Sequence, residues 1–237
     1  MTGKSWKPSW INWQVDQALD LSSTESTHLD LGSGNRPSNP FKCRRLISSD
    51  INENQLMSED TNFTFIQITD ISKIPVDNNS VDSVSAFDLL EHIPRTWQSG
   101  SGRLENPFIQ TMNEIHRVLK PGGIFLAVTP AFPSPQAFQD PTHVNIISEE
   151  TISYFDENAW ATSLGYGYVG RFQKIHQSWL RGAGPYLGRY PQHFSGPDKD
   201  RSSNFVYQLR KINRLMRLSK GKDTFALLWV LRKCCDC

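Results

Sequence analysis

What this chain has little of narrows its class before any motif is read. Cysteine is scarce, at four in 237 residues. Cys43 stands alone, and Cys234, Cys235 and Cys237 crowd together at the far end. That spacing lacks the paired C-x2-C elements and set-spaced histidines of a zinc site, so reduced free thiols are expected and no structural metal. Long apolar runs are missing too. Nothing approaches the roughly 18 consecutive apolar residues that span a bilayer, and Met1 to Trp6 carries no apolar signal core, so a cytoplasmic protein is expected. Nor does charge of one sign prevail. Lysine plus arginine number 25 against 24 aspartate plus glutamate, a net of +1, which gives no reason to expect an obligatory nucleic-acid or membrane partner. The 38% hydrophobic content suits one domain with a full core. Residues 1–237 are read as a single domain, with 1–26 an N-terminal helical extension and 181–222 an insertion between the last two strands.

What is present is organised around HLDLGSGNRP, His28 to Pro37. A short apolar strand containing Asp30 runs into a loop with Gly32, Ser33 and Gly34, where backbone turns tightly and approaches a ligand closely. A second apolar strand, Leu46 to Ser49, ends at Asp50, twenty positions after Asp30. In a doubly wound sheet that second carboxylate lies beside the loop, where it can accept from both hydroxyls of a ribose. The pair points to a nucleoside cofactor. With Arg36 at the third position, the loop lacks the G-x-G-x-x-G of a dinucleotide site, and it lacks the Gly-Lys-Ser/Thr ending of a Walker loop.

D-x-G-x-G followed by a strand ending in Asp resembles class I S-adenosylmethionine-dependent methyltransferases. The most specific signal for that family is Glu114 to Leu126, EIHRVLKPGGIFL, which is similar to its helix–turn–fifth strand unit almost word for word. The resemblance implies a Rossmann-like, doubly wound α/β sheet of seven strands with an antiparallel strand at its edge, and S-adenosyl-L-methionine as cofactor. It also implies a cofactor-binding set of Asp30, Gly32, Ser33, Gly34, Asp50, Ile51, Asp70, Ile71, Phe87 and Asp88. Within that set Asp70 accepts from the adenine amino group, the next backbone N–H reaches a ring nitrogen, and Phe87 and Asp88 line the methionine end. One departure from the family pattern is visible. Pro37 and Pro40 forbid the full helix that usually follows the glycine loop and predict a short or distorted one.

The alternation of Phe63 to Asp70 predicts the third strand, and Val81 to Phe87 the fourth. The phrase that follows, Leu-Glu-His-Ile-Pro, is similar to the fourth-strand edge of many small-molecule methyltransferases and sets His92 towards the substrate mouth. Ser99 to Asn106 reads as a polar linker. Phe108, Met112, Ile115, Val118 and Leu119 share one face of a predicted helix over 107–119, with Pro107 in its first turn and Gly122-Gly123 after its end. Ile124 to Thr129 is a fully apolar fifth strand.

Beyond it, Pro130, Pro133 and Pro135 stiffen a segment leading to Asp140-Pro-Thr-His143-Val. In open α/β sheets a loop leaving this strand hangs over the reacting centre. An imidazole and a carboxylate three residues apart suit a general base oriented by an acid, so His143, Asp140 and His92 are the candidate catalytic residues. The alternative is that Asp140 makes a local turn and His143 packs on Phe138. D-P-T-H-V resembles a subset of these methyltransferases associated with bacterial surface-glycan or secondary metabolism, which implies a hydroxyl or amine of a small molecule or glycan as acceptor.

The pattern predicts helices over 9–21 and 149–163, a sixth strand within 166–180 and a seventh over 225–231. The acid-free stretch 201–222 carries a helical stripe of Arg210, Arg214 and Arg217 that reads as a solvated face, an anionic partner being the other reading. Two other functional classes remain: a dinucleotide-dependent sugar oxidoreductase or epimerase, and a non-catalytic domain of the same fold.

Overall fold

The computed structural model describes residues 21, 25–53, 61–181 and 225–235. The helix expected over 9–21, the basic segment 201–222 and Cys237 lie outside them, apart from Leu21. Alternation and apolar runs produce seven strands of one sheet: β1 (Thr27–Leu31), β2 (Arg45–Asp50), β3 (Phe63–Gln67), β4 (Val81–Phe87), β7 (Leu119–Pro130), β8 (Phe172–Arg181) and β9 (Phe225–Lys233). The polar linker forms a small ribbon of β5 (Trp97–Gln98) and β6 (Leu104–Glu105).

The sheet order is β3-β2-β1-β4-β7-β9-β8. Strands β3 to β7 run parallel, and β9 runs antiparallel to both β7 and β8. Between β1 and β4 the order reverses, and ligands of open α/β sheets bind outside the strand ends at that switch point. The two faces divide cleanly along the strands. Phe125 and Ala127 of β7 and Leu227, Trp229 and Leu231 of β9 join one apolar layer, while Ile124, Leu126, Val128, Leu228 and Val230 join the other. Burial on both faces is why β7 and β9 read as continuous apolar runs.

The Pro107–Val118 helix packs Phe108, Met112, Ile115 and Val118 against the first layer. Each such side chain contributes on the order of 1.5–3 kcal/mol by burial. Chain turns straight from Leu119 into β7, earlier than the predicted Ile124, because Gly123 lets the strand pass close by. A Cβ there would sit 2.8 Å from the Lys120 carbonyl oxygen and 3.1 Å from that of Asp82.

The two prolines predicted a short or distorted helix between β1 and β2, and the structure corrects this: no helix forms there. Asn39 instead brackets the turn, donating from Nδ2 to the Cys43 carbonyl at 2.7 Å and accepting its N–H at 2.9 Å. The helix expected over 149–163 is a correction: it is split into a 3-10 turn, Glu149–Tyr154, and a short helix, Trp160–Ser163. Asp156 causes the split. Its carboxylate accepts from the Asn158 N–H at 2.9 Å and from Lys174 Nζ at 3.0 Å, and Ala159 then takes φ 49°. A side chain that captures a backbone donor competes with the helix ladder. The sixth strand starts at Phe172, after Gly165 and Gly167 with positive φ. Among the described residues, no helix is long and apolar enough to cross a membrane.

Candidate active site

Two groups of side chains meet at the carboxyl ends of β1, β2, β4 and β7. The first is the glycine loop and its acids. Gly32 takes φ +66° with its would-be Cβ 3.0 Å from Leu89, and Gly34 takes φ +52° with open space where a Cβ would stand. The Ser33 N–H donates to the Ser49 carbonyl at 2.9 Å, and its hydroxyl pairs with that of Ser48 at 2.6 Å, so the loop is fastened to β2. Asp50 completes the fastening. Its Oδ2 accepts from the Gly34 N–H and its Oδ1 from the Asn52 N–H, both at 2.9 Å.

Asp30 lies beneath, 1% exposed, with Oδ2 accepting from the Ser38 N–H at 2.6 Å and Oδ1 from the Ser85 hydroxyl at 2.5 Å. Burial pushes its carboxyl up to about 7, against the lowering effect of those two bonds. His28 extends this buried network, with Nδ1 2.7 Å from Ser83 Oγ and Nε2 2.8 Å from Ser85 Oγ. Burial drops its imidazole to about 3 and keeps it neutral. His28, unremarked in the sequence, thus props the loop through Ser85 and Asp30.

The remaining residues of the expected cofactor set are placed as follows. Ile51 is exposed, and its carbonyl accepts from Gln67 Nε2 at 3.0 Å. Asp70 is exposed, and its carboxyl is held below the usual range, chiefly by the Ser72 hydroxyl. Ile71 packs half-buried against the core. Phe87 ends β4, and Asp88 follows with φ 48°, its N–H donating to the Val128 carbonyl at 2.8 Å. Burial pushes the Asp88 carboxyl up to about 6. A separate cavity of about 480 Å³ opens on one side of Asp70, lined by Ser72, Lys73, Arg103, Asn106 and Tyr166 among others. None of Gly32, Gly34, Asp50, Phe87 or Asp88 lines it.

The second group joins the end of β4 to the loop after β7. A 3-10 turn, Leu90–His92, closes β4, and the Glu91 carbonyl accepts from the N–H groups of Val144 and Asn145 at 2.9 Å each. Asn145 Nδ2 donates to the Leu90 carbonyl at 3.0 Å, and Arg95 Nε holds Asn145 Oδ1 at 2.7 Å. These bonds fix the D-P-T-H-V loop over the strand ends. His92 and His143 meet edge to face, ring centroids 4.8 Å apart.

Asp140 does make the local turn, accepting from the Thr142 N–H at 2.8 Å and hydroxyl at 2.6 Å, which holds its carboxyl low. Phe138 meets Phe132 edge to face. His143 Nε2 lies 4.0 Å from both Glu91 Oε1 and Asp140 Oδ2. Because the single Thr142 hydroxyl proton goes to Asp140, Thr142 Oγ1 can only accept from His92 Nδ1, 3.0 Å away. His92 is therefore the Nδ1–H tautomer, with its lone pair on Nε2. Burial lowers the His92 pKa, and the neighbouring His143 lowers it further.

Glu91 was missed as a functional residue, although it stands in the quoted Leu-Glu-His-Ile-Pro phrase. It is 1% exposed, with Oε2 taken by the Thr129 hydroxyl at 2.9 Å and Oε1 without a hydrogen-bond partner. Burial, with Asp88 adding to it, pushes its carboxyl up to about 8. At 4.0 Å the contact with His143 is too long for a hydrogen bond to offset that burial. Nothing in its sequence neighbourhood sets it apart; its setting comes from the distant loop that brings His143 to it.

Residues 29–127 match the family described as a methyltransferase domain. No curated protein matches the chain. Similar solved structures include YcgJ from Bacillus subtilis, 16% identical over 96% of this chain and 98% of that one, with a TM-score of 0.54. A SAM-dependent methyltransferase from Archaeoglobus fulgidus is 15% identical over 95% and 93%, TM-score 0.50. The [4+2]-cyclase SpnF is 15% identical over 96% and 81%, TM-score 0.52. Identities this low speak for the fold alone, and the cyclase illustrates that fold does not fix reaction.

The sheet order and the glycine loop beside Asp50 define a Rossmann-like fold of the class I methyltransferase kind. With the match over residues 29–127, the chain is similar to the class I S-adenosylmethionine-dependent methyltransferases, and S-adenosylmethionine is the cofactor that this similarity implies. The residues present fit that molecule. Gly34 offers open space where a side chain would stand, and Asp50 presents a half-buried carboxylate beside it.

Proposed function

We propose that the chain, acting as one cytoplasmic domain over 1–237, transfers the methyl group of S-adenosylmethionine to a hydroxyl or amine of a small molecule or glycan. The bound cofactor supplies a methyl group already activated on a sulfonium, so the protein's work is to align the acceptor, exclude water and dispose of a proton. Asp50 and the Gly32–Gly34 loop hold the ribose, Asp70 and the Ile51 and Ile71 edges flank the adenine, and Phe87 and Asp88 flank the methionine end. Asp30 sets the loop from beneath.

The observation that carries the acceptor chemistry is the Glu91, His92, His143 and Asp140 cluster beside Asp88 at the ends of β4 and β7. A thiolate acceptor has no need of so many proton-handling groups, whereas a hydroxyl must lose its proton as the new bond forms. His143 is the member on which that centre depends. Incubating the protein with methyl-labelled S-adenosylmethionine and a panel of sugars, other alcohols and amines tests the reading. Label should appear on an oxygen or nitrogen, and not with His143→Gln. Transfer to carbon or sulfur acceptors alone would overturn it.

A further inference from the structure

The acceptor end of the cleft has the composition of a metal centre. We propose that Glu91, His92 and His143 bind a first-row divalent transition-metal ion of the Zn²⁺, Mn²⁺ or Co²⁺ kind, and that the acceptor hydroxyl coordinates it. The proposal rests on the methyl-transfer reading for its role, and on the side chains alone for the site.

One ligand atom from each of the three residues lies within 4.8 Å of the other two. His143 Nε2 stands 4.0 Å from Glu91 Oε1 and from Asp140 Oδ2, beyond hydrogen-bond reach of either. Bonds of roughly 2.0–2.2 Å at tetrahedral angles set two ligands of one ion about 3.4 Å apart, so binding draws the widest corner in by up to about 1.4 Å. Glu91 Oε1 is buried without a hydrogen-bond partner among the described residues, and so is His143 Nδ1. An orphaned carboxylate oxygen at 1% residue exposure is costly, and a cation is the partner that removes the cost.

Outer support of the sort that orients metal ligands is present on two of the three. Thr129 holds the other oxygen of Glu91, so the carboxylate cannot rotate away. Asp140, through Thr142, holds His92 in the tautomer whose Nε2 is free to coordinate. Mixed imidazole and carboxylate donors suit first-row transition metals, whereas Mg²⁺ and Ca²⁺ favour oxygen alone. Three protein ligands leave a position open, as catalytic sites do. Asp140 and Thr142, which stand beside the two histidines, are both exposed.

On the ion, an acceptor O–H ionises more readily, as bound water does. The O–H bond breaks and its proton leaves towards solvent past Asp140. The oxygen's electron pair forms the O–CH₃ bond, the S–CH₃ bond breaks, and the sulfonium becomes a neutral thioether.

The test uses tag-free full-length chain carrying Cys234→Ser, Cys235→Ser and Cys237→Ser, so that tail thiols cannot bind the probe. After chelation, Co²⁺ and Zn²⁺ are titrated calorimetrically and the visible spectrum of Co²⁺ is recorded. The expected result is one ion per chain with nitrogen–oxygen coordination. Binding should be weakened about 100-fold or more by His92→Gln or Glu91→Gln, since even outer-shell losses cost roughly 10–100-fold. His92 is partly exposed, so His92→Gln keeps the test valid if Glu91→Gln melts early. Absence of stoichiometric binding at millimolar ion would overturn the proposal, as would parental affinity in folded His92→Gln. S-adenosylhomocysteine binding, measured on the metal-free protein, separates the two readings. If it persists while no ion binds, the metal site alone is wrong; if an ion binds and S-adenosylhomocysteine does not, the site stands and its role in methyl transfer falls.

Discussion

Replacing Asp50 by alanine tests the contact on which the proposed cofactor binding depends. Its carboxylate accepts from the Gly34 and Asn52 N–H groups, at 2.9 Å each, so the side chain is held at the loop. Two ribose hydroxyls donating to a carboxylate are charge-assisted bonds, on the order of 1.5–3 kcal/mol apiece. Losing the pair costs at least about 3 kcal/mol, or about 150-fold in affinity at about 1.4 kcal/mol per tenfold. Asp50→Asn separates charge from geometry. The amide oxygen still accepts from Gly34, so the loop keeps its shape, while one ribose acceptor becomes a donor. Its loss should be smaller, roughly tenfold to thirtyfold, within the range for one such bond. Calorimetric titration of both variants with S-adenosylhomocysteine, after checking that their melting temperatures match the parent's, gives both numbers. A folded Asp50→Ala protein with parental affinity would refute the assignment, and equal losses in the two variants would refute the role of loop shape.

Three further expectations follow from the same geometry. His143→Gln should lower methyl transfer by roughly 10²–10⁴-fold, the range for losing a group that handles the acceptor's proton, while S-adenosylhomocysteine affinity stays within about threefold; poor cofactor binding in a folded variant would contradict this. Asp30, raised to about 7 from 3.8, binds a proton more tightly folded than unfolded, so its contribution to stability falls as pH rises from about 4 to 7. His28, lowered to about 3 from 6.5, contributes stability that is lost as pH falls through the same region. Asp30→Asn should therefore leave the His28 effect unopposed and make the melting temperature climb more steeply from pH 4.5 to 6.5 than in the parent; an unchanged slope would show the network is not coupled to folding. Finally, the triple Cys234→Ser, Cys235→Ser, Cys237→Ser protein should match the parent in melting temperature and cofactor binding, and destabilisation of the parent by chelators that spares the triple variant would contradict it.

How much of this was legible in the sequence depended on how local each cause is. The strand–glycine–Asp50 unit was readable because register, turn and acid all lie within about one βαβ length, where pattern and backbone chemistry coincide. The Pro107–Val118 helix was readable because its apolar face repeats at helical spacing and proline marks its start. The break at Asp156 was not, because part of its cause is Lys174, eighteen residues on in another strand. Glu91 is ordinary in sequence and becomes unusual only when the loop 52 residues later brings His143 to it. His28 likewise gains its role from Ser83 and Ser85, across β1 and β4. Side chains whose partners are distant in sequence leave no periodic trace, and the cluster of Glu91, His92 and His143 is built almost wholly from such pairs.

The most direct test of the account is a parallel calorimetric titration of the purified chain with S-adenosylhomocysteine and with NAD⁺. The account predicts saturable binding of S-adenosylhomocysteine, one molecule per chain, lost in Asp50→Ala, and no heat from NAD⁺ beyond dilution. Binding of NAD⁺ in place of S-adenosylhomocysteine, or of neither, would contradict it.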